Sequence, residues 1–170
     1  MIKWKKYKGA GVLFVFSEQK GTYEILLGKR RYRPHRGYWD ISGGGMSRRD
    51  KGDFLNCAIR ETCEEFMGYS ECGNSEECRK WFEKCLKGCI PSSFDVQNPP
   101  RTVVKIPFFE FHTYLFPLTC KPENFPILNR EFEGAKWYSF NIEKLPKKLH
   151  CGVRYSLWRF SELEKFYQRT

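Results

Sequence analysis

Hydrophobic positions follow two rhythms along this chain. From Lys8 to Phe16 (KGAGVLFVF) they run almost unbroken, as in a strand covered on both faces. Ser17 to Gly21 is a polar turn, and Thr22 to Gly28 resumes the strand pattern, so the two segments pair as a hairpin. Thr102–Ile106 and Phe108–Phe116 are also strand-like, and alternation in the second puts Glu110, His112 and Tyr114 on one face. Between these blocks the period becomes helical: Leu55, Ala58, Ile59, Thr62 and Phe66 gather on a face about 100° wide. A second helical pattern, Glu76 to Lys87, carries Cys78, Trp81, Phe82 and Cys85 at i, i+3, i+4 and i+7. A closing helix is predicted over Val153 to Tyr167, with Leu157, Phe160 and Leu163 among its apolar positions. Proline-marked loops occupy Ser92–Arg101 and Thr119–Pro126.

The charges on the first helix change this picture from architecture to chemistry. Glu61, Glu64 and Glu65 adjoin its apolar face, and three carboxylates within a turn repel unless solvated, protonated or bridged by a cation. An oxygen-only donor set selects Mg²⁺, or Mn²⁺, over zinc. The alternative from spacing alone is a solvated acidic face. Asp53 is placed to cap the helix N-terminus. Before it lie Gly43, Gly44 and Gly45, where the backbone is open to close approach. Cys57, one turn before Glu61 on the carboxylate face, is expected to sensitise the protein to thiophilic metals and oxidants.

The run Arg60-Glu61-Thr62-Cys63-Glu64-Glu65, preceded by Gly43-Gly44, resembles the signature of the Nudix hydrolases, G-x5-E-x7-R-E-U-x-E-E-x-G-U. The resemblance implies an α/β/α sandwich around a mixed sheet, in one domain with an inserted helix at 69–100. It also implies Mg²⁺-dependent hydrolysis of a diphosphate linkage in a nucleoside diphosphate derivative. Carried over by position, Glu64 and Glu65 are the principal metal ligands, Glu61 a further ligand or general base, and Arg60 the residue holding the carboxylates. The carbonyl of Gly43 or Gly44 approaches the metal. Three departures stand out: Gly52 falls where the pattern has its first glutamate, Thr62 replaces an aliphatic, and Met67-Gly68 inverts the expected Gly-apolar pair. The acidic partner of Arg60 is therefore missing at its usual place, with Asp50 or Asp53 as substitutes. Gly37-Tyr38-Trp39-Asp40-Ile41-Ser42 resembles the family's approach to the glycines, with Trp39 read as core packing. Glu131 or Glu133, before the Trp137-Tyr138 strand, is a candidate base or extra ligand from across the cleft. His112 is either a ribose or phosphate contact or a structural histidine.

Composition adds bounds. A chain of 170 residues with 41% hydrophobic content can bury a core without staples. The N-terminus lacks the shape of a signal peptide, so a cytoplasmic location is expected. The net charge of +10 is concentrated beside the glycines, at Lys29, Arg30, Arg31, Arg33, Arg36, Arg48 and Arg49. Lys29, Arg30, Arg31 and Arg36 are candidates to bind substrate phosphates. A small nucleotide is the expected partner, with nucleic acid the lesser alternative and a homodimer open; no membrane partner is expected. Two further functions remain: a Nudix-shaped binding module without turnover, and an RNA-end pyrophosphohydrolase. Of the eight cysteines, the four from Cys72 to Cys89 contain no C-x2-C pair, and reduced thiols or one local disulfide are expected there rather than zinc.

Overall fold

A computed structural model describes residues 6–19, 21–69, 73–123, 125–126 and 131–167. Its elements in chain order are β1 (Tyr7–Gln19), β2 (Thr22–Arg30), β3 (Trp39–Asp40), β4 (Ser42–Gly45), α1 (Phe54–Phe66), α2 (Ser75–Cys85), β5 (Arg101–Ile106), β6 (Phe109–Leu118), β7 (Phe132–Ser139) and α3 (Cys151–Tyr167). A single 3-10 turn, Arg48–Asp50, precedes α1. Cys72, Asn129 and Arg130 lie outside the described residues.

The expected hairpin is present, with Val15 opposite Ile25. The long apolar run of β1 has a second partner that no local pattern announces: it lies parallel to β6 from Tyr7–Phe109 to Phe16–Leu118. β1 and β2 touch only near their turn and then diverge. The wedge between them is filled by seven residues, β3 pairing with β2 (Gly28–Asp40) and β4 with β1 (Gly9–Gly45 to Val12–Ser42). β7 closes the outer edge of β2, and β5 the outer edge of β6. The result is a mixed seven-stranded sheet.

Strand alternation sends the apolar residues to two cores. Ala10, Val12 and Phe14 meet α1 and α2 through Leu55, Ala58, Ile59, Phe66 and Phe82. Leu13, Ile25, Leu27 and Ile41 meet α3 through Val153, Leu157 and Phe160. The fold is thus helix, sheet, helix. Trp39 packs edge-on against Tyr138, 5.0 Å between ring centres, in the second core. The inserted segment covers the sheet: Phe82 of α2 sits between Phe14 and Phe116, and the Trp81 indole N–H donates to the Met67 carbonyl at 3.2 Å.

For the Cys72–Cys89 group reduced thiols or one local disulfide are expected, and Cys78 and Cys89 are both disulfide-bonded. Cys89 and Cys120 form a disulfide, fixing the end of the insertion to the strand end of β6, where Thr119 N–H also donates to the Cys89 carbonyl at 2.8 Å. The pairing partner comes from outside the 72–89 group, so the local spacing carried no sign of it. Cys57, Cys63, Cys85 and Cys151 are free thiols.

Candidate active site

The first helix is built around one buried cation. Asp53 caps α1, its carboxylate accepting from the N–H groups of Leu55 and Asn56 at 2.7 and 3.0 Å. About two turns later Arg60 turns back under the preceding loop, where it is almost wholly enclosed. Its Nε and one terminal nitrogen grip both oxygens of Asp50 at 2.8 and 3.0 Å, a bidentate pair. The same guanidinium donates to the Gly45 carbonyl at 2.9 Å and lies 2.8 Å from Glu61 and 3.0 Å from Glu64. Asp50 therefore occupies the role that counting assigned to Gly52. Burial alone would raise the Asp50 carboxyl, but hydrogen bonds from Arg60 and Ser47 outweigh it and hold it below its ordinary value. Gly52 instead makes the turn that brings Asp50 inward: Lys51 and Gly52 have φ of 53° and 79°, the left-handed region in which glycine is at ease.

The glutamates divide by environment. Glu65 is only 2% exposed, and its Oε2 accepts the Gly43 N–H at 2.6 Å. Burial drives its carboxyl well above the usual range against that hydrogen bond, and the charges of Glu61 and Glu131 push it the same way. Glu61 stands over Gly44, where a Cβ would come within 2.5 Å of its carboxylate oxygen. Burial raises Glu61 to about 7 despite the neighbouring Arg60, with Glu64 and Glu131 contributing. Glu64 is partly exposed and faces both Arg60 and Arg49, the latter at 3.8 Å.

This donor set fits a hard divalent cation. Mutually repelling carboxylates beside a bare glycine strand form an all-oxygen surface, with the Glu61 carboxylate lying directly over Gly44 because that residue lacks a side chain. Among the described residues no three His, Cys, Asp or Glu side chains are already gathered as a cage.

Across the wedge, Glu131 shares a side-chain hydrogen bond with Glu65, so the opposite wall contributes a carboxylate. Arg30 lies between Glu131 at 3.4 Å and the buried Asp40 at 3.2 Å. Arg30 thus ties these two carboxylates together across β2. Lys29 is paired with Glu133 at 2.6 Å. Arg31 and Arg36 are exposed, and the Arg31 N–H donates to the Glu131 carbonyl at 2.8 Å. His112 is removed from the cleft: it is buried flat beneath Phe54, ring centres 3.7 Å apart, with Nε2 3.2 Å from Glu110. Cys57 points inward beside the Gly44 carbonyl and is wholly buried, and burial pushes its thiol up to about 12. The expected sensitivity of Cys57 to thiol reagents loses its basis, because the thiolate is the reactive form. Sequence reasoning passed over Asp40 and left Asp50 as one of two substitutes. The readable signal for Asp50 was the Ser47-x-x-Asp50 capping box, in which Ser47 and Asp50 bond each other's backbone N–H.

A family model described as "NUDIX domain" matches residues 5–155, and the chain belongs to that family. No curated protein matches it. Among solved structures it is similar to RenU, a Nudix hydrolase from M. smegmatis (18% identity, TM-score 0.59, covering 96% of this chain and 88% of that one). It is also similar to an Ap4A hydrolase from C. elegans (19% identity, TM-score 0.58, covering 92% and 96%). A MutT/nudix family protein from Enterococcus faecalis shares the fold at 15% identity and TM-score 0.54, this chain covering 79% of itself but 44% of that longer protein. Among the described residues no helix is long and apolar enough to cross a membrane.

Proposed function

We propose that this chain is a Mg²⁺-dependent pyrophosphohydrolase that cleaves the diphosphate linkage of a nucleoside diphosphate derivative. The observation that carries the reading is the Arg60 hub, which ties Asp50, Glu61, Glu64 and the Gly45 carbonyl together beside a strand of three glycines. The binding-only alternative rested on a missing acidic partner for Arg60, and Asp50 supplies that partner. Membership in a hydrolase family and the named hydrolases among its structural neighbours support the same reading.

Glu64 and Glu65, with Glu61 as a further ligand and the Gly43 backbone at their side, are the residues that would hold the ion. When bound, Mg²⁺, with Mn²⁺ as the substitute, supplies neutralisation of phosphate charge and a more acidic water. Glu61 is placed to take a proton at its carboxylate, which stands over Gly44 with its direction fixed by Arg60. Glu131 offers a second acceptor from the opposite wall. Arg60 fixes the direction of Glu61 and Glu64, and Arg31, Arg36 and Arg49 line the approach for a polyanion.

Release of phosphate or pyrophosphate with Mg²⁺ should be measured across nucleoside triphosphates, nucleotide sugars, dinucleoside polyphosphates and capped RNA, for wild type and Glu64→Gln. We expect one substrate class to turn over and the variant to lose roughly 10²–10³-fold or more in kcat with the fold intact. Near-normal turnover by a folded E64Q would refute the assignment. A second reading, an RNA-end pyrophosphohydrolase, is favoured by the loop after β2, where Arg31, Arg33 and Arg36 are exposed and interleaved with Tyr32, itself 57% exposed. RNA binding that weakens steeply with salt distinguishes it from a small-nucleotide enzyme.

A further inference from the structure

The face of the sheet turned away from α1 holds a feature that the carboxylate chemistry does not use. Alternation puts Tyr7, Gly9 and Gly11 of β1 on that face, and the register sets Gly45 beside Gly9 and Gly43 beside Gly11. Four neighbouring positions therefore carry no side chain. The parallel partner β6 sets Phe109 beside Tyr7 and Phe111 beside Gly9. These aromatic rings use the space: Tyr7 and Phe109 are stacked with centres 5.3 Å apart and planes within 9°, and Phe109 and Phe111 are 6.2 Å apart within 12°. A Cβ on Gly9 would lie 2.9 Å from the Tyr7 hydroxyl and 3.0 Å from the Phe111 ring, and one on Gly43 3.2 Å from Phe111. The glycines are what allow the rings to lie across the strands.

The stack ends in the open. Tyr7 remains 44% exposed although one of its faces is stacked on Phe109. Its ring borders Gly45, whose carbonyl Arg60 holds, so the exposed end of the stack abuts the Arg60 hub. The electrostatics agree with this placement: burial first, then the charge of Glu61, opposes ionisation of the Tyr7 hydroxyl, while Arg30 from the opposite wall favours it. Elsewhere the exposed aromatic pair Tyr155 and Trp158 is tilted by 52° and lies on α3, and the parallel pair of Phe54 and His112 has its histidine buried. A row of parallel rings with a free end beside a phosphate-handling site is suited to one more flat ring, because an aromatic base stacks on an aromatic side chain whatever its hydrogen-bonding pattern.

We propose that Tyr7, backed by Phe109 and Phe111, is the stacking wall for the base of the bound nucleotide and sets the preference for nucleotides over base-free polyphosphates. This rests on the reading of the carboxylate cluster as a diphosphate-cleaving site. Tyr7 acts through its ring, so a substitution that keeps the ring keeps the function.

The test is calorimetric binding of the four nucleoside α,β-methylene triphosphates and of inorganic tripolyphosphate, in Mg²⁺, to wild type, Tyr7→Ala and Tyr7→Phe, with thermal unfolding run alongside. The ratio of nucleotide to tripolyphosphate affinity is expected to fall roughly 10- to 100-fold in Y7A for whichever base binds best, and to stay within about twofold of wild type in Y7F. An unchanged ratio in folded Y7A overturns the proposal, as does an equal fall in Y7F or a wild-type protein that prefers tripolyphosphate. Binding is read without turnover. Tight, Tyr7-dependent nucleotide binding by a protein that hydrolyses nothing would therefore sustain this inference while removing the enzymatic one.

Discussion

Two helices of this protein carry nearly the same acidic content and come to opposite ends. α1 has Glu61, Glu64 and Glu65, and α2 has Glu76, Glu77 and Glu83. In α2 the glutamates face water. Glu76 is 77% exposed, pairs with Lys80 one turn on, and that hydrogen bond lowers its carboxyl below the ordinary value. In α1 the glutamates crowd a buried arginine and a strand of glycines, and burial raises Glu61 and Glu65. What separates a solvated acidic face from a candidate metal site is thus the surface the carboxylates meet, and that surface is made by other parts of the chain.

The strongest way to break the contrast is to remove the cation at the centre of α1. Arg60→Ala leaves Asp50 buried and unpaired, and a loss of roughly 3–5 kcal/mol is expected in urea unfolding. Adding Asp50→Asn should return part of it, since the uncompensated charge is then gone. A loss under about 1 kcal/mol for R60A would show that the hub is not what holds this region. Next in size is the insertion. Reducing the Cys89–Cys120 disulfide, which closes a loop of 31 residues, should cost roughly 2–4 kcal/mol. Because it braces α2's segment and not the glutamates of α1, affinity for Mg²⁺ should hardly change below the unfolding transition. A loss of Mg²⁺ binding on reduction would tie the two regions together.

A smaller effect sharpens the electrostatic half of the comparison. In metal-free protein the Glu61 carboxyl sits near 7, against an ordinary value of 4.5. The folded state then binds more protons than the unfolded one between those values, so stability falls as pH rises from about 5 to 7, by on the order of 2–3 kcal/mol. Glu65 slopes the same way, and Asp50, held low, stays ionised throughout this window. Glu61→Gln should flatten the profile, and Mg²⁺, which favours the ionised form, should oppose it. An unfolding midpoint that climbs from pH 5 to 7 without metal would contradict this assignment. Smallest of all, Glu76→Gln or Lys80→Ala on α2 should leave the midpoint unmoved within error, as exposed pairs do.

How far the sequence revealed these features depended on the distance over which each is set. The helix of α1, its Asp53 cap and the side on which Glu61, Glu64 and Glu65 fall follow from a local period, and all were legible. α2 was legible for the same reason. Asp50 was ambiguous because a linear count cannot see a loop that folds back: two left-handed residues, Lys51 and Gly52, move the acid from its expected place in sequence to its expected place in space. The pairing of Arg30 with Asp40 and Glu131 was not legible because it joins β2, β3 and the residue before β7, whose register is set by contacts distant in the chain. The Cys89–Cys120 link and the parallel pairing of β1 with β6 depend on contacts far apart in the chain, and no nearby pattern reports them.

The glycine strand has one further consequence, for how the protein keeps its own company. Among the described residues β4 pairs with β1 alone, and its other edge would ordinarily present backbone groups to any extended chain that came by. Here the Gly43 N–H on β4 is already engaged by Glu65, and Glu61 stands over Gly44. An incoming strand would have to displace a carboxylate from its donor before it could pair. The side chains that equip the cleft for a metal ion also guard a sheet edge against self-association.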